Sequence, residues 1–339
     1  MKPNRIKLSD VADAAGVSAA TVSRALRNPD IVSQKVRERI QFVIDELGYV
    51  PDPAARALAS ARTDVIGVLI PSVTNSVFAD VLRGIYSAAE GTSYRIQLGN
   101  TRYSVLEEEK LLKVFLSQRP AGLIVTGIDQ SAASRAMLLK AECPVVQIME
   151  TGDRPVDMMV GFSHREGAFA ATCHLIENGY KRIAFLGARM DPRTQRRLEG
   201  FSQALREAGL LDERLIVTTP RPSTVTLGSE LLGELLARAP DADAVFCNND
   251  DLALGVLFEC QRRRIAVPDE LGICGFNDLE MMAVANPAIT SVRTFREEMG
   301  GRAFELLLGS LNGAPVGEGI VDLGFELVRR ESTRRSALN

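Results

Sequence analysis

The chain has 339 residues, 46% of them hydrophobic and 24% charged, with a formal net charge of −3. That composition suits one or more substantial buried cores and excludes a low-complexity or fibrous protein. The opening MKPNRIKLSDVADAAG carries no apolar stretch of signal-peptide length, and no later segment approaches the roughly 20 uninterrupted apolar residues of a membrane helix. A cytoplasmic protein with no membrane partner is therefore expected. The five cysteines (Cys143, Cys173, Cys247, Cys260 and Cys274) are scattered and form no Cys-x-x-Cys pair, so they read as reduced thiols, with neither metal nor other cofactor expected. Charge is uneven along the chain: residues 1–62 hold ten basic and seven acidic side chains, whereas the remainder holds 30 basic and 36 acidic ones.

The first elements read as helices. Leu8, Val11, Ala12 and Ala15 recur at helical spacing, and Gly16 then frees the backbone for a sharp turn. Ser18 is placed to cap a second helix, Ala19–Leu26, which turns Val22, Ala25 and Leu26 inward and leaves Ala19, Ala20, Ser23 and Arg24 available. Asn28-Pro29-Asp30 breaks the chain, and Val36, Ile40, Val43, Ile44 and Leu47 mark a third helix that stops at Gly48. Pro53–Ser60 has proline at a first helical turn with good helix formers behind it, but alone it is too short to be a stable helix.

The segment LSDVADAAGVSAATVSRALRNPDIVSQKVRERIQFVIDELGYVPDPAARALAS resembles the headpiece of the lactose/galactose repressor (LacI/GalR) family of transcriptional regulators. The resemblance implies a helix-turn-helix domain over 1–50 whose second helix enters the major groove of double-stranded operator DNA, and a hinge helix with its linker over 51–62. Ala19 and Ala20 sit where the family varies most; their methyl groups can touch a thymine methyl but form no hydrogen bond, which leaves Arg24 as the guanine reader. Ser18, Thr21 and Ser23 are candidate phosphate contacts, although Ser18 also reads as a cap and Thr21 as a local packing residue. In the hinge, Arg56, Leu58 and Ala59 are implied DNA contacts, with Leu58 wedged into a base step of the minor groove.

Beyond Thr63, short apolar runs alternate with amphipathic stretches: Val65–Ile70, Arg95–Leu98, Gly122–Val125, Val145–Ile148, Arg182–Leu186, Ala244–Cys247 and Leu271–Cys274. This is the pattern of doubly wound parallel α/β sheets in two lobes, in which a ligand settles at the carboxyl ends of the strands. Residues 63–330 resemble the two-lobed periplasmic-binding-protein-like core of the same family, which implies an effector-binding and dimerisation core followed by a tail, 331–339. A first lobe is expected over about 63–161 plus 291–320 and a second over about 162–290 plus 321–330. Matching positions nominate Phe78 and Thr126 in the first lobe, with Glu150, Phe162, Arg197, Asn249 and Asn277, as effector-binding residues. Arg197 could be a surface ion-pairing arginine, but its fork suits a carboxylate or phosphate and its place at the strand-to-helix segment favours a ligand role; Phe78 and Phe162 read equally as core aromatics. Asn277 stands where many relatives have aspartate.

GARMDPRTQRRLEGF, VFCNNDDLALGVLFECQRRRIAVPD and VDLGFELVRRES look like the gluconate-operon repressor branch of the family. The likeness implies a repressor that binds a pseudopalindromic operator as a homodimer, or a tetramer, and is released by a small sugar or sugar acid such as gluconate. An effector that promotes DNA binding is the alternative within the family. An enzyme is disfavoured: Gly-x-Gly-x-x-Gly after the first strand, Gly-x-x-x-x-Gly-Lys-Ser/Thr and Gly-x-Ser-x-Gly are all missing, and the two histidines, His164 and His174, lack a nearby nucleophile pattern. His164 is expected at or beside the pocket and His174 in helical packing. A transport-type sugar-binding protein shares the core but not the fused headpiece.

Overall fold

The computed structural model describes residues 6–27, 29–50, 63–313 and 319–335, and divides into two units, Met1–Thr63 and Asp64–Asn339. The first unit holds helices α1 (Leu8–Ala15), α2 (Ala19–Arg27) and α3 (Gln34–Leu47) around a core of Val11, Ala12, Ala15, Val22, Ile40, Val43, Ile44 and Tyr49. The tight turn between α1 and α2 depends on Gly16, whose φ of 61° lies in the left-handed region. Its amide and that of Val17 donate to the carbonyls of Asp13 and Ala12 at 3.1 and 3.0 Å, closing the end of α1.

Among the described residues the second unit contains two six-stranded sheets. The strands are β1 (Val65–Ile70), β2 (Arg95–Asn100), β3 (Gly122–Thr126), β4 (Val145–Ile148), β5 (Met158–Gly161), β6 (Ile183–Ala188), β7 (Ile216–Thr219), β8 (Ala244–Cys247), β9 (Gly272–Asn277), β10 (Thr290–Arg293), β11 (Ile320–Asp322) and β12 (Glu326–Val328). The first sheet runs β11-β5-β4-β3-β1-β2 and the second β12-β10-β9-β8-β6-β7, all parallel except the β10–β12 pair. Around the first sheet lie α4 (Ser76–Ala89), α5 (Val105–Ser117), α6 (Ala132–Leu139) and α12 (Arg296–Leu311). Around the second lie α7 (His164–Glu177), α8 (Pro192–Glu207), α9 (Val225–Arg238) and α10 (Asp250–Arg263), with the short α11 (Met281–Val284) after β9. The buried runs of β1, β6 and β8 are apolar, and that of β4 is apolar apart from Gln147, because both faces of these strands are covered by helices.

The chain crosses between the lobes three times: after β5, after β10 and after β11. The expected lobe boundaries therefore shift by a few residues. Residues 291–293, expected in the first lobe, belong to β10 and pair with β9 of the second sheet, while residues 321–322, expected in the second lobe, belong to β11 and pair with β5 of the first. A strand goes with the sheet that takes its hydrogen bonds, and at three or four residues these strands give little periodic signal of their own. In the first lobe α4 lies hard against α12: a Cβ on Gly84 would stand 1.9 Å from the Glu297 carbonyl oxygen, and one on Gly300 would stand 2.0 Å from that of Val81.

Candidate functional site

In the three-helix unit, the amphipathic division of α2 leaves one side chain face unspent. Val22 is fully buried and Ala25 and Leu26 pack on the core, whereas Ala19, Ala20 and Arg24 are exposed and Ser23 is half-buried. Ser18 caps α2: its Oγ accepts from the Thr21 amide at 3.2 Å and lies 2.9 Å from the Thr21 hydroxyl. The two hydroxyls thus satisfy each other locally. Arg56, Leu58 and Ala59 lie outside the described residues.

In the larger unit, the carboxyl ends of the strands of both sheets open into a cleft between the lobes. Its walls include Asn75 and Phe78 from the start of α4, Tyr103 after β2, Arg189 and Asp191 after β6, Arg193 and Arg197 on α8, Asn248 and Asn249 after β8, and Asn277 at the end of β9. An adjoining chamber is lined by Thr126, Gly127, Asp129 and Gln130 of the first lobe and shares Tyr103, Asp191 and Arg193 with the cleft.

Local sequence explains each placement. Asp191 caps α8 by accepting from the Thr194 amide at 3.0 Å, with Pro192 at the first helical turn, so Arg193 and Arg197 follow one turn apart on the face that meets the cleft. Asn249 caps α10 through the Leu252 amide at 3.2 Å, and its Oδ1 also accepts from the Ser223 hydroxyl at 2.8 Å. Asn277 has a φ of 112°, which carries its side chain off the strand into the cleft, and its Oδ1 is buried without a hydrogen-bond partner.

Arg197 is 7% exposed and inward-bound. Its Nε and Nη2 each donate to His164 Nδ1 at 3.1 Å, its Nη1 donates to the Asn248 carbonyl, and its guanidinium stacks 3.8 Å from the centre of the Phe276 ring. Burial pushes its pKa down to about 10. His164 is buried beside it and held neutral, first by desolvation and then by the Arg197 and Arg193 charges, which all lower its pKa well below the usual range. With Nδ1 accepting twice, the proton belongs on Nε2. Phe162, His164 and Phe276 form an aromatic stack with centroids 4.3, 5.7 and 6.3 Å apart.

Two nominated residues stand behind the cleft rather than in it. Phe162 is fully buried against His164 and Phe276, a core aromatic because β5 ends with its side chain directed into the packing between lobes. Glu150 is 2% exposed and accepts from the His164 amide at 3.4 Å; desolvation raises its pKa to about 7, against the opposing pull of Arg196 3.7 Å away. Arg196 of α8 also reaches across to the first lobe, holding both oxygens of Asp129 at 2.8 and 2.6 Å. A second cross-lobe tie is Arg296, which grips Asp80 of α4 at 2.9 and 2.8 Å and also donates to the Asn277 carbonyl. Thr126 lines the adjoining chamber, and Phe78, Arg197, Asn249 and Asn277 line the cleft as expected from sequence position. His174 is away from it, paired with the Thr333 hydroxyl at 2.8 Å.

Sequence reading missed Asn75, Tyr103, Arg189 and Arg193. Tyr103 and Arg189 have φ of 58° and 67°, and periodicity does not say where side chains point from such turns. Arg193 carried a readable signal: it is four residues before Arg197 and so on the same helical face. Among the described residues no cluster of His, Cys, Asp and Glu could hold a metal ion, and no helix is long and apolar enough to cross a membrane.

Residues 7–52 match the model of the lacI family of bacterial regulatory proteins, and residues 172–333 match that of a periplasmic binding protein-like domain. The HTH-type transcriptional regulator GntR of Pseudomonas aeruginosa is 42% identical over 329 residues, covering 97% of this chain and 96% of that protein. A LacI-family transcriptional regulator from Silicibacter pomeroyi superposes with a TM-score of 0.92 at 37% identity, covering 97% of this chain and 100% of that one. The lac repressor dimer bound to operator and the anti-inducer ONPF superposes with a TM-score of 0.84 at 25% identity, covering 97% and 99%. With a helix-turn-helix headpiece, a two-sheet α/β core and relatives named as regulators over nearly its whole length, the chain belongs to the LacI family and is a DNA-binding transcriptional regulator rather than an enzyme.

Proposed function

We propose that the protein is a cytoplasmic repressor that binds a pseudopalindromic operator as a homodimer and is released from it by a small sugar acid of the gluconate class. The observation that carries this reading is the interlobe cleft. It is rich in arginine and amide groups, lies at the strand ends of two sheets, and is spanned by the Arg196–Asp129 and Arg296–Asp80/Asn277 ties. Arginine forks suit a carboxylate, and amides such as Asn249 and Asn277 suit hydroxyls. The 42% identity to regulators named GntR supports the same class.

On the DNA side, exposed Arg24 reads a guanine and Ala19 and Ala20 meet thymine methyls. Ser18, Thr21 and Ser23 hold phosphates, Ser18 and Thr21 giving up their mutual hydrogen bond to do so. Two headpieces in a two-fold dimer match two half-sites. A ligand that binds one arrangement of the lobes more tightly than another shifts the population competent for DNA.

Linkage makes the proposal testable, since effector and operator must alter each other's affinity by the same factor. Fluorescence anisotropy of the full chain on a labelled inverted repeat, with and without D-gluconate, is expected to show release. Calorimetry of D-gluconate is expected to show weaker binding to the operator complex by an equal factor. Equal D-gluconate affinity in the two states, or tighter DNA binding with the acid present, overturns the reading.

A further inference from the structure

We infer that Arg193, rather than Arg197, seats the anionic end of the effector, so that Arg193 sets the preference of the cleft for an acid over the matching neutral polyol. The inference rests on the sugar-acid reading above and deepens it.

Three arginines line the cleft. Arg197 is committed elsewhere: each of its three guanidinium nitrogens already donates, Nε and Nη2 to His164 and Nη1 to the Asn248 carbonyl, and one face lies on Phe276. Its main structural task is to fix the His164 ring and the chain after β8. Arg189 lays its guanidinium 3.8 Å from the centre of the Tyr103 ring and is half-exposed. Arg193 differs from both. Its side chain is 13% exposed, Nη2 donates to Asp191 at 3.1 Å, and Nη1 is buried with no hydrogen-bond partner.

A buried guanidinium nitrogen without an acceptor is costly, and a carboxylate oxygen from a ligand would offset that cost. Arg193 stands where the cleft meets its adjoining chamber, and the centres of the Phe78 and Tyr103 rings are 5.6 and 5.9 Å from its guanidinium. These rings reduce water around the charge and strengthen its pull on an anion. Asn277 Oδ1 is likewise buried without a partner and lines the same cleft. One free donor and one free acceptor thus define an orientation for the ligand. Its carboxylate meets Arg193 and a hydroxyl donates to Asn277, on the side where Asp250 and Asp251 would repel an anion. Asp250 itself is engaged, accepting from the Leu279 amide and the Ser291 hydroxyl at 2.7 Å each.

The test is calorimetry of the full-length protein with D-gluconate and with D-glucitol, its neutral counterpart. The wild type is expected to prefer the acid. R193Q is expected to lose about 10- to 100-fold in D-gluconate affinity, the loss of a charge-assisted hydrogen bond, with less than about 3-fold change for D-glucitol. R193K, which keeps the charge without the fork, is expected to fall between. A melting curve for each variant verifies folding, and the acid-to-polyol ratio in R193K decides the matter if R193Q does not fold. A wild type that binds D-glucitol as tightly as D-gluconate overturns the sugar-acid reading and this inference with it. A wild type that prefers the acid, with a preference unchanged in R193Q or R193K, overturns this inference alone.

Discussion

The headpiece and the core solve recognition in opposite ways. In the headpiece the residues proposed to read DNA, Ala19, Ala20 and Arg24, are exposed, carried on a helix whose other face supplies the small hydrophobic core. In the core the side chains of the cleft lie deeper and each is held by others: buried Arg197 by His164, Asn248 and Phe276, and half-buried Asn249 by Leu252 and Ser223. A rigid polymer can be read by a convex surface with free side chains, whereas a small molecule must be enclosed. It follows that substitutions at headpiece reading positions should change affinity and leave stability alone, whereas substitutions around the cleft should change both.

The largest expected effect tests the core. Phe276→Ala removes a fully buried ring that contacts Phe162, His164 and Phe246 and floors the Arg197 guanidinium. It should destabilise the core by about 3–5 kcal/mol in chemical denaturation and abolish effector binding at ordinary concentrations. Next, Gly84→Ala forces a Cβ against the Glu297 carbonyl, a backbone atom that can yield only if α4 and α12 separate. A loss of about 1–3 kcal/mol is expected in the same measurement, with a weaker loss of effector affinity because the start of α4 carries Asn75 and Phe78.

Arg24→Ala tests the other half of the comparison. The exposed side chain contributes nothing to the headpiece core, so the melting curve should be unchanged while discrimination against a substituted half-site falls by about 1–3 kcal/mol in competition anisotropy. A fall in melting temperature would break the proposed separation.

The smallest effect is pH-dependent. Glu150 has a folded pKa of about 7, above the ordinary 4.5, so the folded protein holds this proton more tightly than the unfolded chain does. Its contribution to stability is complete below the unfolded pKa and is lost as pH rises through the folded one. Glu150→Gln should therefore melt about 2–4 °C above wild type at pH 8, with the gap closing at pH 5.

The same contrast explains what could be read from the sequence. The headpiece is legible because its determinants are local: helical spacing, Gly16 at the turn, Ser18 as a cap, Gly48 as a stop. The two-lobed α/β class is legible from its alternating apolar runs, and strand ends locate Arg197, Asn249 and Asn277. Side-chain direction beyond a strand end is not legible. Phe162 and Glu150, one and two residues past β5 and β4, turn into the packing, whereas Tyr103 and Arg189, both in left-handed turns, come to the cleft. The strands β10, β11 and β12 are too short to announce themselves and owe their existence to the strands beside them.

The triple crossing between lobes has a consequence for the order in which the protein can be made. Sheet one lacks its outer strand, β11, and the helix α12 that covers it until the ribosome has passed residue 322. The second sheet lacks β12 for slightly longer, although its other five strands are already synthesised. Neither lobe can close as the chain emerges, while the headpiece, whose three helices end at Leu47, can fold first. A truncation that removes α12 and everything after it would take a helix and a strand from one lobe and an edge strand from the other. Such a truncation would thus weaken the packing of both lobes at once, although the residues that line the cleft, Asn75 to Leu279, would all still be present.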